Sequence, residues 1–471
     1  MKRIISLLAL GGLITYSVSA LDLHVTPGTL SSALENTSLN GESRISLVGA
    51  IDARDLGTLQ SLPSGVKSLN LSATEIEKYV VRDGKLFNHT LLEANTIPEL
   101  CFFRSPLTEI ELPASTKAIA SAAFAGSSLK TITIPEGVTS IGDYAFYNCP
   151  QLEEVVFPAS IAEIGKGAFA NCPKLKYVTL PPCKLTAIPE ECFAGDTSLT
   201  EFYLPASVKT IGKEAFRGTR ISSLDLASVK ELQPYALSGM LLLTDVTLAQ
   251  DSKIGTGALM DNSNLYSVAG NPKVIPDYFV ANCYSFDPNE ALSAASEVGD
   301  YAFANSAASN LVLGKNVSSL GSGVFKNMGT LSTIDAKPLE NNLPEVAEDS
   351  FDGINPADIK LFVTDDSYDA WKNHPQWGQF DVQSEQNVGT EIITDSAADS
   401  SIAINLNGNI LVITSADAID VAEIFALDGT ALLSAGGSNE ITFNLDEINN
   451  NVVIVRVVAG NAMRTLKVMI R

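Results

Sequence analysis

Three histidines (His24, His89 and His374), six cysteines and neighbouring carboxylates such as Glu153-Glu154 and Glu190-Glu191 are the side chains with which this 471-residue chain could do covalent or acid–base chemistry. A nucleophilic site needs Ser or Cys beside a base, and a hydrolytic metal needs ligands at spacings such as His-Glu-x-x-His. No histidine shares a repeat register with a cysteine or serine, and neither His-Glu-x-x-His nor a phosphate-cradling glycine loop occurs. Ionised carboxylates are rarely buried, so the Glu pairs read as solvated faces rather than as general acid and base. The expectation is no enzyme activity, no cofactor and no metal.

What must position any functional side chain is a repeat. Ile141-Gly142-Asp143-Tyr144-Ala145-Phe146-Tyr147-Asn148-Cys149-Pro150 leads through Leu152, Val155 and Phe157 to Pro158, and the pattern restarts at Ile164-Gly165 with Phe169, Cys172, Leu175 and Val178 in register. The lead residues are Ile97, Ile119, Ile141, Ile164, Ile188, Ile211, Leu232, Ile254, Ile275, Val298, Leu320 and Val346, giving 12 units spaced 21 to 26 residues apart. Five places later stands an anchor, which is Phe102, Phe124, Phe146, Phe169, Phe193 and Phe216, then Leu237, Leu259 and Val280, then Phe303, Phe325 and Phe351. In the ninth unit Phe279 comes one place early. A fixed period of this length marks a solenoid, in which each turn buries its apolar face only against its neighbours.

Leu129-Lys130-Thr131-Ile132-Thr133-Ile134 follows Leu-x-x-Ile-x-Ile, so Ile132 and Ile134 should point inward and Thr131 and Thr133 outward. Pro135 ends the strand, since proline has no N–H for a further ladder bond. Ala145 allows close packing and Phe146 fills the core. At roughly 4.8 Å per strand the units would stack to about 55 Å.

This pattern resembles the BspA-like (Treponema pallidum type) leucine-rich repeats of bacterial surface proteins. The resemblance implies a mainly β repeat solenoid, a right-handed stack of about 12 turns over 97–382, and a binding rather than a catalytic role. Ile359-Lys360-Leu361-Phe362-Val363, then Tyr368-Asp369-Ala370-Trp371-Lys372 and Trp377, are similar to the capping end of such arrays. Trp371 and Trp377 are suited to shield the last apolar layer from water. Upstream, residues 21–96 lack the phenylalanine anchor but contain alternating Ile45-Ser46-Leu47-Val48 and Val66-Lys67-Ser68-Leu69-Asn70-Leu71, which reads as an N-terminal cap.

The cysteines sit at repeat positions. Cys149, Cys172 and Cys283 follow their lead residues by eight, and Cys101 and Cys192 directly precede the anchor phenylalanine. Two readings are open: buried free thiols acting as small fillers, or one pair, with Cys149 and Cys172 on adjacent turns the best placed. Cys183 fits no register.

Residues 1–20 read as a secretory signal peptide, with Lys2-Arg3, an apolar run from Ile4 to Ile14 and a small-residue exit at Val18-Ser19-Ala20. No other segment is long and apolar enough for a transmembrane helix, so a secreted or outer-surface location is expected. Without Lys2 and Arg3 the chain carries 29 basic and 54 acidic residues, a net charge of −25, which disfavours nucleic acid as a partner.

Residues 383–401 are polar and read as a linker. From 402 to 471 short alternating strands, including Ile410-Leu411-Val412-Ile413 and Ala431-Leu432-Leu433 across an Asp428-Gly429 turn, predict a small β-sandwich. Ile424-Phe425-Ala426-Leu427-Asp428-Gly429, Val453-Ile454-Val455-Arg456-Val457 and the final Arg464–Arg471 stretch make this module similar to a type IX secretion sorting domain. It differs from that pattern at Ile448-Asn449-Asn450-Asn451-Val452, and a plain accessory sandwich is the other reading.

The candidate site is the outward face of the repeat strands. One row reads Glu109, Thr131, Glu154, Tyr177, Glu201, Ser223 and Asp245, and its companion reads Glu111, Thr133, Val156, Thr179, Tyr203, Asp225 and Thr247. Tyr177 and Tyr203 offer amphipathic contact area, and Glu154, Glu201 and Glu111 would select a basic partner. The same residues also suit an idle, β-favouring wet surface. The partner expected is a protein, with host extracellular matrix or other cells implied by the family resemblance. A glycan-binding accessory protein and a structural cell-envelope component are the alternatives.

Overall fold

The computed structural model describes residues 20–384 and 402–469, apart from 38, 40–42, 82–85, 88–90, 250, 271, 341, 408–409, 427–429, 446–447, 449–451 and 461. Residues 1–19 of the expected signal peptide, most of the expected linker, His89 and the Asp428-Gly429 turn lie outside the described residues. Two compact units divide at Val382 and Gln383.

The first unit is a parallel β-solenoid. Most turns contribute a three-residue strand, such as Thr131–Thr133, Glu154–Val156 or Tyr177–Thr179, and a two-residue strand at the lead position, such as Ser140–Ile141 or Glu163–Ile164. Neighbouring turns pair in parallel and in register, with Thr131 opposite Glu154 and Glu154 opposite Tyr177. The expected N-terminal cap enters the same stack: Ala20–Val25, Arg44–Ile51 and Ser68–Ile76 pair in that order, and Ser68 to Asn70 pairs with Glu109 to Glu111. With these three, the stack has about 15 turns.

The anchors form a column of stacked rings. Successive centroids from Phe102 to Phe216 are separated by 5.1, 5.0, 5.0, 5.8 and 5.6 Å, and a second stack runs Phe303, Phe325, Phe351. Offset stacking of this kind adds about 0.5–1.5 kcal/mol per pair beyond the area buried. At the lead-plus-one position glycine is required by proximity rather than by dihedral angle. A Cβ on Gly142 would lie 2.5 Å from the backbone nitrogen of Ser121 in the turn below, and one on Gly165 2.3 Å from that of Asp143. Left-handed residues recur twice in most turns, for instance Tyr144 and Asn148 or Tyr301 and Asn305, where the chain reverses over a tight corner.

The C-terminal end closes as the tryptophans predict. Trp371, in the helix Tyr368–Lys372, and Trp377 are fully buried, edge-on to each other at 5.1 Å, and Trp377 and Phe380 cover Phe351. Strand Asp381–Gln383 then follows Lys360–Phe362 at the sheet edge.

The second unit is a six-stranded antiparallel sheet around its own core of Ile404, Leu411, Ile413, Ile424, Val453, Val455 and Val457. The sandwich expectation takes the form of one hydrogen-bonded sheet. Its long strand Ile410–Ala426 pairs with Ile402–Asn407 and Ser438–Asn444 along its first half and with Ala431–Ala435 and Val452–Ala459 along its second. Register shifts between Thr414 and Ile419 mark where pairing changes hands between the two halves.

Candidate functional face

The strand rows bring Glu154 and Tyr177 side by side as direct cross-strand partners. Tyr177 is 62% and Tyr203 76% exposed, and both stand beside buried inward residues, Val178 and Phe202. Phe202 lies edge-on to Phe193 and Phe216 at 5.2 and 4.9 Å, so the backbone at Tyr203 is braced by the aromatic column. Glu154 is half-buried and Glu201 exposed, and among the described residues neither forms an ion pair. Glu111 differs: Arg44 from the N-terminal strands holds it at 3.2 Å.

The expected rows are not one continuous ladder. Strand pairing on this face ends at Tyr177–Thr179 and resumes at Asp245–Thr247. Glu201, Tyr203, Ser223 and Asp225 occupy the turns between without ladder bonds, and the lead-residue strands Ala187–Ile188, Thr210–Ile211, Glu231–Leu232 and Lys253–Ile254 carry the stacking there. Two features of the chain accompany the break. Pro181 and Pro182 remove N–H donors just after Tyr177–Thr179, and bulky Phe202 stands where other turns carry an aliphatic inward residue, mostly Ile or Val. Further on, the helix Asn289–Ala294 interrupts the face again.

The sequence reading passed over other exposed aromatics. Tyr266 and Tyr284 are exposed, and Tyr278 stacks on Tyr301 at 5.1 Å. A register signal was available, since Tyr144, Tyr235, Tyr278 and Tyr301 all follow their lead residue by three.

The titratable groups that could do chemistry are occupied structurally. His374 Nδ1 accepts from the backbone N–H groups of Gln376 and Trp377 within the cap, and His24 is exposed on the first strand. Glu190 and Glu191 flank Lys166 at 3.1 and 3.4 Å, and hydrogen bonding to Glu190 raises the Lys166 pKa. All six cysteines are free thiols, which decides against the paired reading. They are more than fillers: Cys149, Cys172 and Cys283 each donate at 3.2 Å to the carbonyl of the anchor one turn below, Phe124, Phe146 and Leu259. Burial pushes the Cys283 thiol up to about 12 and that of Cys101 higher, so neither is a ready thiolate. Cys172 is raised by burial, while its hydrogen bond to Cys149 lowers the latter.

The same eighth position holds a carboxyl in the fifth turn. Asp196 is fully buried, its Oδ1 accepts from the Cys172 N–H at 2.7 Å, and its Oδ2 has no partner. Burial pushes its pKa well above the usual carboxylate range. Among the described residues no group of three or more His, Cys, Asp or Glu side chains is placed to hold a metal, and no helix is long and apolar enough to cross a membrane.

The stacked, in-register turns carrying this face correspond to the family model for the BspA type leucine-rich repeat region (6 copies), which matches residues 95–195, 186–287, 273–364 and 296–383. The chain belongs to the BspA-type leucine-rich repeat family. Among solved structures, this BspA-type chain is similar to a leucine-rich repeat protein from Bacteroides ovatus, at 23% identity over 79% of this chain and 97% of that one, with a TM-score of 0.54. The pneumococcal vaccine antigen PcpA matches at 24% identity over 59% of this chain and 79% of that one, TM-score 0.38. The Treponema pallidum leucine-rich repeat protein matches at 24% identity over 37% and 73%, TM-score 0.25. Nothing among curated proteins matches the chain. The likeness to the Bacteroides ovatus structure is one of fold. The matched family is defined by a repeat region and names no reaction.

Proposed function

We propose that this BspA-type chain is a non-enzymatic binding protein, secreted or displayed at the outer cell surface after removal of residues 1–20, that adheres to a protein partner through the outward face around Tyr177 and Tyr203. The observation that carries this reading is the pair of largely exposed tyrosines, each next to a buried core residue, flanked by Glu154 and Glu201, which form no ion pair among the described residues. Rigid aromatic area with few rotatable bonds is the chemistry of interface hot spots, and unpaired carboxylates at the rim favour a basic partner. Extracellular matrix proteins and the surfaces of other cells are the partner classes we assign. Glu111 contributes less, because Arg44 already neutralises it. The terminal sheet acts as a sorting module in this reading.

Immobilised matrix proteins probed with the purified chain at varied ionic strength test the proposal. Binding that weakens with salt and falls about 10-fold or more in the Tyr177→Ala/Tyr203→Ala variant is expected. Affinity unchanged in that variant would remove this face.

A further inference from the structure

A different face, in the ninth to eleventh turns, carries a second site. Two residues after the anchor, Asp261, Asn282, Asn305 and Asn327 occupy one row of successive turns, each in the left-handed conformation. Their side chains form a directional ladder: Asn282 Nδ2 donates to Asp261 Oδ1 at 2.7 Å, and Asn305 Nδ2 donates to Asn282 Oδ1 at 2.8 Å. The next rung is not made. Asn327 Oδ1 lies over Gly353, where a Cβ would come within 2.0 Å of it, and no hydrogen bond joins its amide nitrogen to Asn305 Oδ1.

The ladder opens where there is space. An open surface depression of about 210 Å³ is lined by Asn305, Asn327, Ser306, Ala307, Gly329, Thr330 and Tyr284, which is 62% exposed. The volume is below the ~300–1,000 Å³ of sites for drug-sized ligands, so one small ring is the natural occupant. The polar groups define its chemistry. Asn305 Oδ1 is an acceptor and Asn327 Nδ2 a donor, while the Thr330 hydroxyl already donates to Ala308 O at 3.0 Å and so only accepts. The Ser306 hydroxyl likewise donates to Phe303 O at 2.6 Å, and the residue is buried.

Mixed acceptors and a donor without a formal charge suit neither a carboxylate, which needs donors alone, nor an ammonium, which needs acceptors and gains most from a carboxylate. Adjacent ring hydroxyls, each able to donate and accept, satisfy all three groups at once. The apolar face of a sugar ring can lie against Tyr284, whose ring is amphipathic and two-torsion rigid. We propose that Tyr284, Asn305, Asn327 and Thr330 form a saccharide subsite taking a single neutral pyranose unit, independent of the Tyr177–Tyr203 face.

Saturation-transfer NMR on the whole chain tests this, with the methyl glycosides of glucose, galactose and mannose and with N-acetylglucosamine as probes. At least one sugar should show transfer with a Kd on the order of 1 mM, as expected for a ligand of about a dozen heavy atoms. Tyr284→Ala and, separately, Asn327→Ala should lower the response at least 5-fold with unchanged melting, Tyr284→Phe should keep it, and Tyr177→Ala/Tyr203→Ala should leave it untouched. No transfer from any of the four sugars, or transfer that survives both Tyr284→Ala and Asn327→Ala, overturns the subsite without bearing on the protein-binding face.

Discussion

The first six turns of the array and the three that follow solve one packing problem with different side chains. From Phe102 to Phe216 every anchor is a ring stacked on its neighbours at 5.0 to 5.8 Å. At Leu237, Leu259 and Val280 the rings lapse, and the space is shared with Met240, Phe279 and Phe286, all fully buried. The backbone turn survives the exchange, with left-handed residues at Tyr235, Asp261, Tyr278 and Asn282 as in the earlier turns. Turn geometry therefore depends on the corner residues and the close-approach glycines, whereas the anchor position sets how much apolar volume each turn contributes. Volume-conserving rearrangement of a core is tolerated, and unfilled volume is not.

The largest effect should come from emptying an aromatic rung. Phe146→Ala removes a ring held between Phe124 and Phe169, each 5.0 Å away, and should cost about 3–5 kcal/mol in urea melts. Leu259→Ala, in the mixed region with adaptable Met260 and Met240 nearby in sequence and register, should cost less, toward the lower part of about 2–5 kcal/mol. Equal losses would break the distinction between the two regions.

An intermediate effect, of opposite sign, should follow from Asp196→Asn. The folded chain holds the Asp196 proton more tightly than the unfolded chain, whose carboxyl titrates near 3.9. Its stability contribution is therefore fully present below about pH 3.9 and is lost as pH rises toward the folded-state value. Asparagine stays neutral, and Asn262 at the same position of the eighth turn shows that an amide fits, donating to Leu237 O and Leu259 O at 3.0 and 2.8 Å. At pH 7 the variant should be more stable by about 1–3 kcal/mol. The difference from the natural chain should shrink as pH falls toward 4, and parallel stability curves from pH 4 to 8 would show that Asp196 is not the titrating group.

The smallest change in stability should come from Tyr177→Ala/Tyr203→Ala, within about 0.5 kcal/mol, because both side chains project from the surface. A loss above 1 kcal/mol would mean that the exposed face helps hold the array together and would blur the contrast between core and face.

Much of this organisation was legible in the residues. The register of Ile141, Phe146 and Val155 gave the turns, and the two tryptophans gave the cap, because a period of 21 to 26 residues leaves few ways to bury its apolar side chains. Tyr177 and Tyr203 could be placed outward by alternation alone. The break in the ladder at Glu201 and Tyr203 could not be read from alternation, which does not show that the large Phe202 ring packs edge-on against Phe193 of its own turn and Phe216 of the next.

By itself, then, the amino-acid sequence determined the repeat, its length, the inward and outward sets and the absence of known catalytic motifs, all consequences of local period and residue type. Only the tertiary structure decided that the cysteines are thiols donating to anchor carbonyls, that Glu111 is neutralised by Arg44, that Asp196 is buried with one oxygen unpartnered, and that the asparagine ladder opens beside Tyr284. Each of these depends on distances between atoms 21 or more residues apart, which periodicity brings into register but whose hydrogen bonds and gaps are set by how neighbouring side chains pack.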